Sequence, residues 1–193
     1  MALHAGADIA IPPGAVEHAL VAVDGVRLRA ARWTPETPRG TVVLLGGRAE
    51  FIEKYYETIG DFLARGLAVA TMDWRGQGGS ERQLRDPYKG HIDDFALYER
   101  DFAVFRREVL EPHCPRPWLG LCHSMGGAIM LRIAHEGRCP FDRLTLTAPM
   151  IGLYGLDDPR YARWLAEVCD GIGLGGLYTP HTGGRRPYSF GPF

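Results

Sequence analysis

The sequence has no excess of charge of either sign: 22 Lys and Arg stand against 23 Asp and Glu, a net charge of −1 over 193 residues. That balance gives no electrostatic ground for nucleic acid, or for an anionic membrane held by charge, as a partner. No run approaches the ~20 consecutive apolar residues that a helix needs to cross a bilayer, so membrane contact, if made, would be peripheral. The opening Met1-Ala-Leu-His4 lacks the charged segment and apolar core of a secretory leader. Cysteine is scarce. Cys114, Cys122, Cys139 and Cys169 show neither paired metal-ligand spacing nor a redox Cys-x-x-Cys, which excludes a zinc ribbon or a thioredoxin-type centre and predicts a reducing, cytoplasmic setting. No metal and no cofactor are expected. Internal repeats and low-complexity linkers are absent as well, which argues against a solenoid and for one domain with a proper core.

What is present is a regular alternation. Residues 1–15, with Ile11-Pro12-Pro13-Gly14, read as an irregular arm. Glu17–Val23 and Val26–Trp33 flank Asp24-Gly25, a strong short hairpin signal. Thr41–Leu45 and Leu67–Met72 are continuous apolar runs of the kind buried on both faces of a sheet. Between them Tyr56, Ile59, Phe62 and Leu63 fall at helical spacing, and Gly66 ends that helix. Ile92–Leu110 reads as a second amphipathic helix with Phe95, Leu97, Tyr98, Phe102, Phe105 and Val109 inward. Trp118–His123 and Phe141–Thr147 complete the strands. Residues 16–149 therefore predict an α/β core, a mostly parallel sheet with helices on both faces. From Met150 the pattern weakens: residues 159–170 could form one helix, and the glycine-rich stretch to Phe193 is loop-like, so residues 150–193 read as the start of a cap.

One stretch organises the rest. Apolar strand residues run into Ser124, and Met125, Ile129, Met130 and Ile133 repeat at helical spacing after it. The serine thus falls on a sharp strand-to-helix turn, where small neighbours two residues away let strand and helix approach; the pattern is G-x-S-x-G. Here it reads Cys122-His123-Ser124-Met125-Gly126, with Gly127 following and cysteine in place of the first glycine.

In such a sheet ligands bind at the carboxyl ends of the strands, where three loops fall: Gly46–Glu50, Asp73–Ser80 and the turn at Ser124. Acyl transfer needs a nucleophile, a base and donors for the oxyanion. Ser124 would supply the first and the backbone N–H of Met125 one donor. The second would be the N–H of Arg48, with Gly46-Gly47 turning the backbone; the same two glycines read equally as a plain strand-ending turn. Asp73-Trp-Arg-Gly-Gln-Gly has neither P-loop nor G-x-G-x-x-G spacing and reads as scaffolding beside the site.

Taken together, Leu44-Leu-Gly-Gly-Arg-Ala-Glu-Phe-Ile-Glu-Lys-Tyr55, Asp73-Trp-Arg-Gly-Gln-Gly-Gly-Ser80 and His123-Ser-Met-Gly-Gly127 resemble the α/β-hydrolase family. Within it the wording is most similar to bacterial lysophospholipases and monoacylglycerol lipases. The resemblance spans about residues 17–170. It implies a serine hydrolase of lipid monoesters with Ser124 as nucleophile, Arg48 and Met125 as oxyanion donors, and Gly46, Gly47, Cys122, His123, Gly126 and Gly127 as support. Such enzymes commonly have His-Gly at Gly46-Gly47 and Gly at Cys122; neither departure removes a reacting group. The family order of nucleophile, acid and His is not completed. His135 reads as a capping or packing residue of the elbow helix, and His123 as a neighbour that shapes the turn. Asp157, Asp158 and Asp170 read as solvated or capping, and His181 has no strand before it. The expectation is that acid and base lie beyond Phe193 and that the 193-residue chain alone is nearly inactive. A different acyl chemistry (a small ester, a thioester or an N-terminal peptide bond) and a non-catalytic module are the other readings of this pattern.

Overall fold

The computed structural model describes residues 2–6, 9–86, 89–152, 160, 164, 167–169 and 171–174. Strands β1 (Ala15–Val21) and β2 (Arg27–Trp33) form the expected antiparallel hairpin, with Val21 opposite Arg27. Gly25 takes φ +86 at its turn, a left-handed conformation open to glycine. After these come β3 (Thr41–Leu45), a 3₁₀ turn (Ile52–Tyr55), α1 (Tyr56–Ala64) and β4 (Ala68–Met72). The rest is α2 (Ala96–Phe105), α3 (Glu111–His113), β5 (Trp118–His123), α4 (Ser124–His135) and β6 (Arg143–Thr147). Among the described residues the strands make one six-stranded sheet in the order β1-β2-β4-β3-β5-β6. β2 meets β4 antiparallel, whereas β4, β3, β5 and β6 run parallel.

Every residue of β3 and β4 is buried, as strands covered on both faces require. Alternation sends Val43, Leu45, Ala70 and Met72 to one face, where Phe102 and Phe105 of α2 and Ile129 and Met130 of α4 cover them. Leu44 and Val69 go to the other face with Tyr56 and Ile59 of α1. Because β4, β3 and β5 are parallel neighbours, their carboxyl ends lie side by side and bring the three loops together. β6 has β5 as its one neighbour among the described residues, and its Leu144 and Leu146 are half-buried.

One expectation needed correction. The helix expected over Ile92–Leu110 starts at Ala96, because the Asp94 carboxylate accepts the Ala96 N–H at 2.9 Å and keeps the preceding chain in a turn. It widens to a π-helical turn at Arg106–Leu110 and runs on through Glu111–His113; Pro112 is tolerated there at the start of a turn. The arm before β1 is irregular but anchored: Leu3 is buried against the α1-side layer, and the Trp33 indole donates to the Pro12 carbonyl at 2.9 Å. Of the helix expected over 159–170, residues 160, 164 and 167–169 have helical backbone, and the others lie outside the described residues.

Candidate active site

β5 ends at His123 and α4 begins at once at Ser124, with no loop between them. The turn is made by Ser124 itself, whose φ of 48° is left-handed. For a residue with a Cβ such a conformation costs about 1–3 kcal/mol and persists only where the surroundings over-determine it. They do so here. The Ser124 carbonyl accepts the Met150 N–H at 3.0 Å, from the chain just past β6. A Cβ on Gly126 would lie 2.5 Å from the Leu45 carbonyl oxygen and 2.7 Å from that of Gly46, so the first turn of α4 rests directly on the end of β3. A Cβ on Gly127 would lie 3.0 Å from the Pro149 side chain. Cys122 is fully buried, and burial, helped by Cys139, pushes its thiol up to about 12. At neutral pH it is a neutral packing residue.

The loop after β3 lies against the serine: a Cβ on Gly47 would come within 2.9 Å of the Ser124 Cβ. Its peptide planes are fixed from outside. The Trp74 indole donates to the Gly46 carbonyl at 2.9 Å, and the Gly47 N–H donates to Glu50 Oε2 at 2.5 Å. The Ala49 N–H donates to Gln77 Oε1, with Ala49 held at φ 60°. The planes on either side of the Gly47–Arg48 peptide are therefore pinned, while the Arg48 N–H donates to no described residue. The Met125 N–H, in the first turn of α4, has no intrahelical acceptor to reach. The Met125 N–H lies at the positive end of the α4 dipole, and neither it nor the Arg48 N–H has a partner among the described residues.

Glu50 is more than a loop residue. Its carboxylate also accepts from the Tyr55 hydroxyl and the Lys54 ammonium, each at 2.5 Å. Burial raises its pKa, but Lys54, Tyr55 and the Gly47 amide outweigh that and hold it below the usual carboxylate range. The β4 loop is anchored by charge. Asp73, buried, accepts from Arg29 at 2.5 Å, from the Gly79 N–H at 2.7 Å and from the Ile52 N–H at 3.0 Å. Arg29 also holds Glu53. Burial pushes the Asp73 carboxyl up to about 6 against the pull of Arg29 and the Gly79 amide, so at neutral pH it is the charged partner of Arg29. Arg75, equally buried, joins Asp101 at 2.6 Å and Asp24 at 2.6 Å. The expected scaffolding role of this loop thus has a mechanism: its backbone is fixed to the sheet, and its Trp74 and Gln77 reach across to the β3 loop.

Met125, Gly126 and Gly127 follow Ser124 in the first turn of α4, Gly126 packs on the Gly46 carbonyl, and Gly47, the neighbour of Arg48, lies against the Ser124 side chain. His123 is engaged elsewhere, with Nδ1 3.1 Å from Thr147 Oγ1 and Nε2 3.9 Å from Glu50 Oε1. Among the described residues no hydrogen bond joins the Ser124 hydroxyl to a histidine or a carboxylate. His135 closes α4, and Asp157, Asp158, Asp170 and His181 lie outside the described residues. Sequence reasoning missed Glu50, Trp74 and Gln77. Only Glu50 had a local signal, a carboxylate three residues past the amide it accepts. A cleft of about 300 Å³ opens beside the site, between Glu50, Lys54, Tyr55, Leu121, His123 and Thr147. Among the described residues no cluster of metal ligands occurs, and no helix is long and apolar enough to cross a membrane.

With this geometry in hand, the chain can be set beside known proteins. Residues 36–175 match the family described as Serine aminopeptidase, S33. Lysophospholipase L2 of Escherichia coli is 39% identical over 133 residues, covering 68% of this chain and 38% of that protein. A monoacylglycerol lipase of Mycolicibacterium smegmatis is 33% identical over 162 residues, covering 81% of this chain and 55% of the relative. The chain thus spans about half the length, or less, of these relatives. Among solved structures, a thermostable carboxyl esterase from Bacillus coagulans superposes with a TM-score of 0.65 at 23% identity, over 85% of this chain and 52% of the other. A lipase in its open form gives 0.67 at 21%, over 81% and 51%; at these identities the likeness is one of fold. Both the sheet and the sequence place the chain in one group: it belongs to the Serine aminopeptidase, S33 family and has the α/β-hydrolase fold.

Proposed function

We propose that the protein is a serine hydrolase that cleaves the carboxylic ester of lipid monoesters, lysophospholipids or monoacylglycerols, through an acyl-enzyme on Ser124. The observation that carries this reading is the left-handed Ser124, held at the β5–α4 junction beside two unengaged backbone donors. The Escherichia coli and Mycolicibacterium smegmatis relatives, named a lysophospholipase and a monoacylglycerol lipase, supply the substrate class. Ser124 Oγ attacks the ester carbonyl carbon, and the N–H groups of Arg48 and Met125 take the charge that develops on the carbonyl oxygen. The hydroxyl proton passes to a base and from it to the departing alcohol; water then attacks the acyl-enzyme and regenerates the serine. That base and its acidic partner lie outside the described residues, and in this reading beyond Phe193. The 193-residue chain alone is then nearly inactive, because an unassisted serine hydroxyl is a weak nucleophile. Substrates of this kind reside in membranes, so contact with a bilayer is peripheral and transient.

The test is a substrate panel on the full-length gene product: a lysophospholipid, a monoacylglycerol, a short-chain ester and a peptide with a free amino terminus. Hydrolysis of the first two, abolished by Ser124→Ala, is the expected result. A second reading, a peptide bond as substrate, is favoured by the family description; turnover confined to the peptide would establish it and sink the lipid assignment.

A further inference from the structure

One buried polar side chain of the β4 loop reaches across to the loop after β3. Gln77 is 6% exposed. Its backbone is locked by two successive turns: its N–H donates to the Trp74 carbonyl at 3.1 Å and its carbonyl accepts the Ser80 N–H at 3.0 Å. Gly76 at φ +73 and Gly78 at φ +49 bracket it, so the side chain has a fixed origin. From there its Oε1 accepts the Ala49 N–H, 28 residues earlier in the chain, and its Nε2 sits 4.0 Å from the Met125 sulfur. One amide therefore touches the residues on which both unengaged donors depend: the neighbour of Arg48, and Met125.

We infer that Gln77 is a positioning residue for the oxyanion hole, fixing the Arg48–Ala49 peptide so that the Arg48 N–H is presented to the developing oxyanion. The physical reason lies in the peptide planes. Ala49 is a residue with a Cβ at φ 60°, a conformation that relaxes unless it is held. Gln77 holds the plane after Arg48, as Trp74 and Glu50 hold the one before Gly47. Without the acceptor at Gln77, the Ala49 N–H must seek another partner, and the rotation that brings it one turns the Arg48 N–H out of register. An acceptor is what the Ala49 N–H requires; the amide nitrogen faces Tyr98 and the Met125 sulfur instead.

This inference rests on the reading of Ser124 as nucleophile, so the experiment carries Ser124→Ala as a separate arm. In the full-length gene product, Gln77→Met keeps the volume and removes the acceptor. It is expected to lower kcat for a lipid monoester about ten- to hundred-fold, just below the 10²–10³ that loss of a whole oxyanion donor costs, with KM changed less than about two-fold. Binding of a trifluoromethyl ketone, which forms an oxyanion on the serine, should weaken by the same factor as kcat. Gln77→Glu keeps an oxygen acceptor and should recover most of both. Gln77→Asn keeps the amide but draws it back by one methylene, and should lose both as Gln77→Met does, whatever that variant's stability. Unchanged kcat and ketone affinity in Gln77→Met and Gln77→Asn overturn the inference. So does a loss that Gln77→Glu fails to recover and that follows melting temperature. Turnover that survives Ser124→Ala overturns instead the nucleophile on which it stands.

Discussion

Gly126→Ala adds one methyl group where the first turn of α4 meets the end of β3. The new carbon would lie 2.5 Å from the Leu45 carbonyl oxygen and 2.7 Å from that of Gly46. Both obstacles are backbone atoms of a fully buried region, so no side chain can rotate away. Reaching an ordinary contact of about 3.4 Å requires the helix start to move by roughly 0.9 Å. Helix propensity alone favours alanine over glycine by about 1 kcal/mol. Overpacking of a close-packed core costs about 1–3 kcal/mol, and a backbone obstacle puts this case at the upper end, leaving a net loss of about 1–2 kcal/mol. For a domain of this size that is a fall of about 2–8 °C in melting temperature. Ser124 moves with the helix, and a misplacement near 1 Å costs about 10²-fold in rate. Gly60 provides the control: it lies within α1 and a Cβ there meets nothing within 4 Å, so Gly60→Ala should gain about 0.5–1 kcal/mol. Thermal unfolding of both variants, with ester turnover by the full-length gene product, decides the matter. If Gly126→Ala melts with the wild type and keeps its turnover, the close approach of α4 to β3 does not hold the site and the reasoning is refuted.

Further outcomes follow from the buried charges and the open edge. Asp73 has its folded pKa raised above the unfolded value, to about 6; the folded state therefore keeps its proton while the unfolded chain loses it between about pH 4 and 6. Measured against Asp73→Asn by denaturant unfolding, wild-type stability should fall as pH rises through that window and stay level above it; a rise would contradict the burial of this group. Asp101→Ala leaves the buried Arg75 with Asp24 alone and should cost about 3 kcal/mol in chemical denaturation, the lower end for breaking a buried pair. Leu144 and Leu146 on β6, paired on one side among the described residues, make the 193-residue chain prone to strand-edge association. It should self-associate and bind a hydrophobic dye as its concentration rises, and a monomer that binds no dye would count against an open edge.

How much of this was legible in the sequence depended on whether the interaction was local. The hairpin at Asp24-Gly25, the strand Thr41–Leu45 and the junction at Ser124 follow from turn chemistry and periodicity, and the structure has them at or near the expected residues. The order β4 before β3 in the sheet is not written in any one segment, since it is set by pairing across the whole chain. The same limit applies inside the site. Ser124 and the glycines around it were readable because the turn is made by consecutive residues. Gln77 and Trp74 each reach a partner 28 residues away, so a glycine-rich loop read as scaffolding without its contacts being visible. Helix ends behaved likewise. Phe95, Tyr98, Phe102 and Phe105 marked the inward side correctly, whereas Leu97 is half-buried and outside the core cluster, and the helix start was decided by a single Asp94 side chain competing for a backbone amide. Cys122 shows that a pattern can be met by its physical requirement: the position needs a small residue that tolerates complete burial, and cysteine meets that need as glycine does.

The central claim is that Ser124 becomes acylated during ester hydrolysis. The direct measurement is mass spectrometry of the full-length gene product after reaction with a fluorophosphonate, with lysophospholipid turnover followed in parallel. A single phosphonyl adduct on Ser124, formed in step with loss of turnover and absent from Ser124→Ala, is the predicted result. The 193-residue chain should label far more slowly, since among its described residues no histidine or carboxylate is hydrogen-bonded to the Ser124 hydroxyl. An adduct on another residue, or turnover that persists while Ser124 is fully modified, would contradict the account.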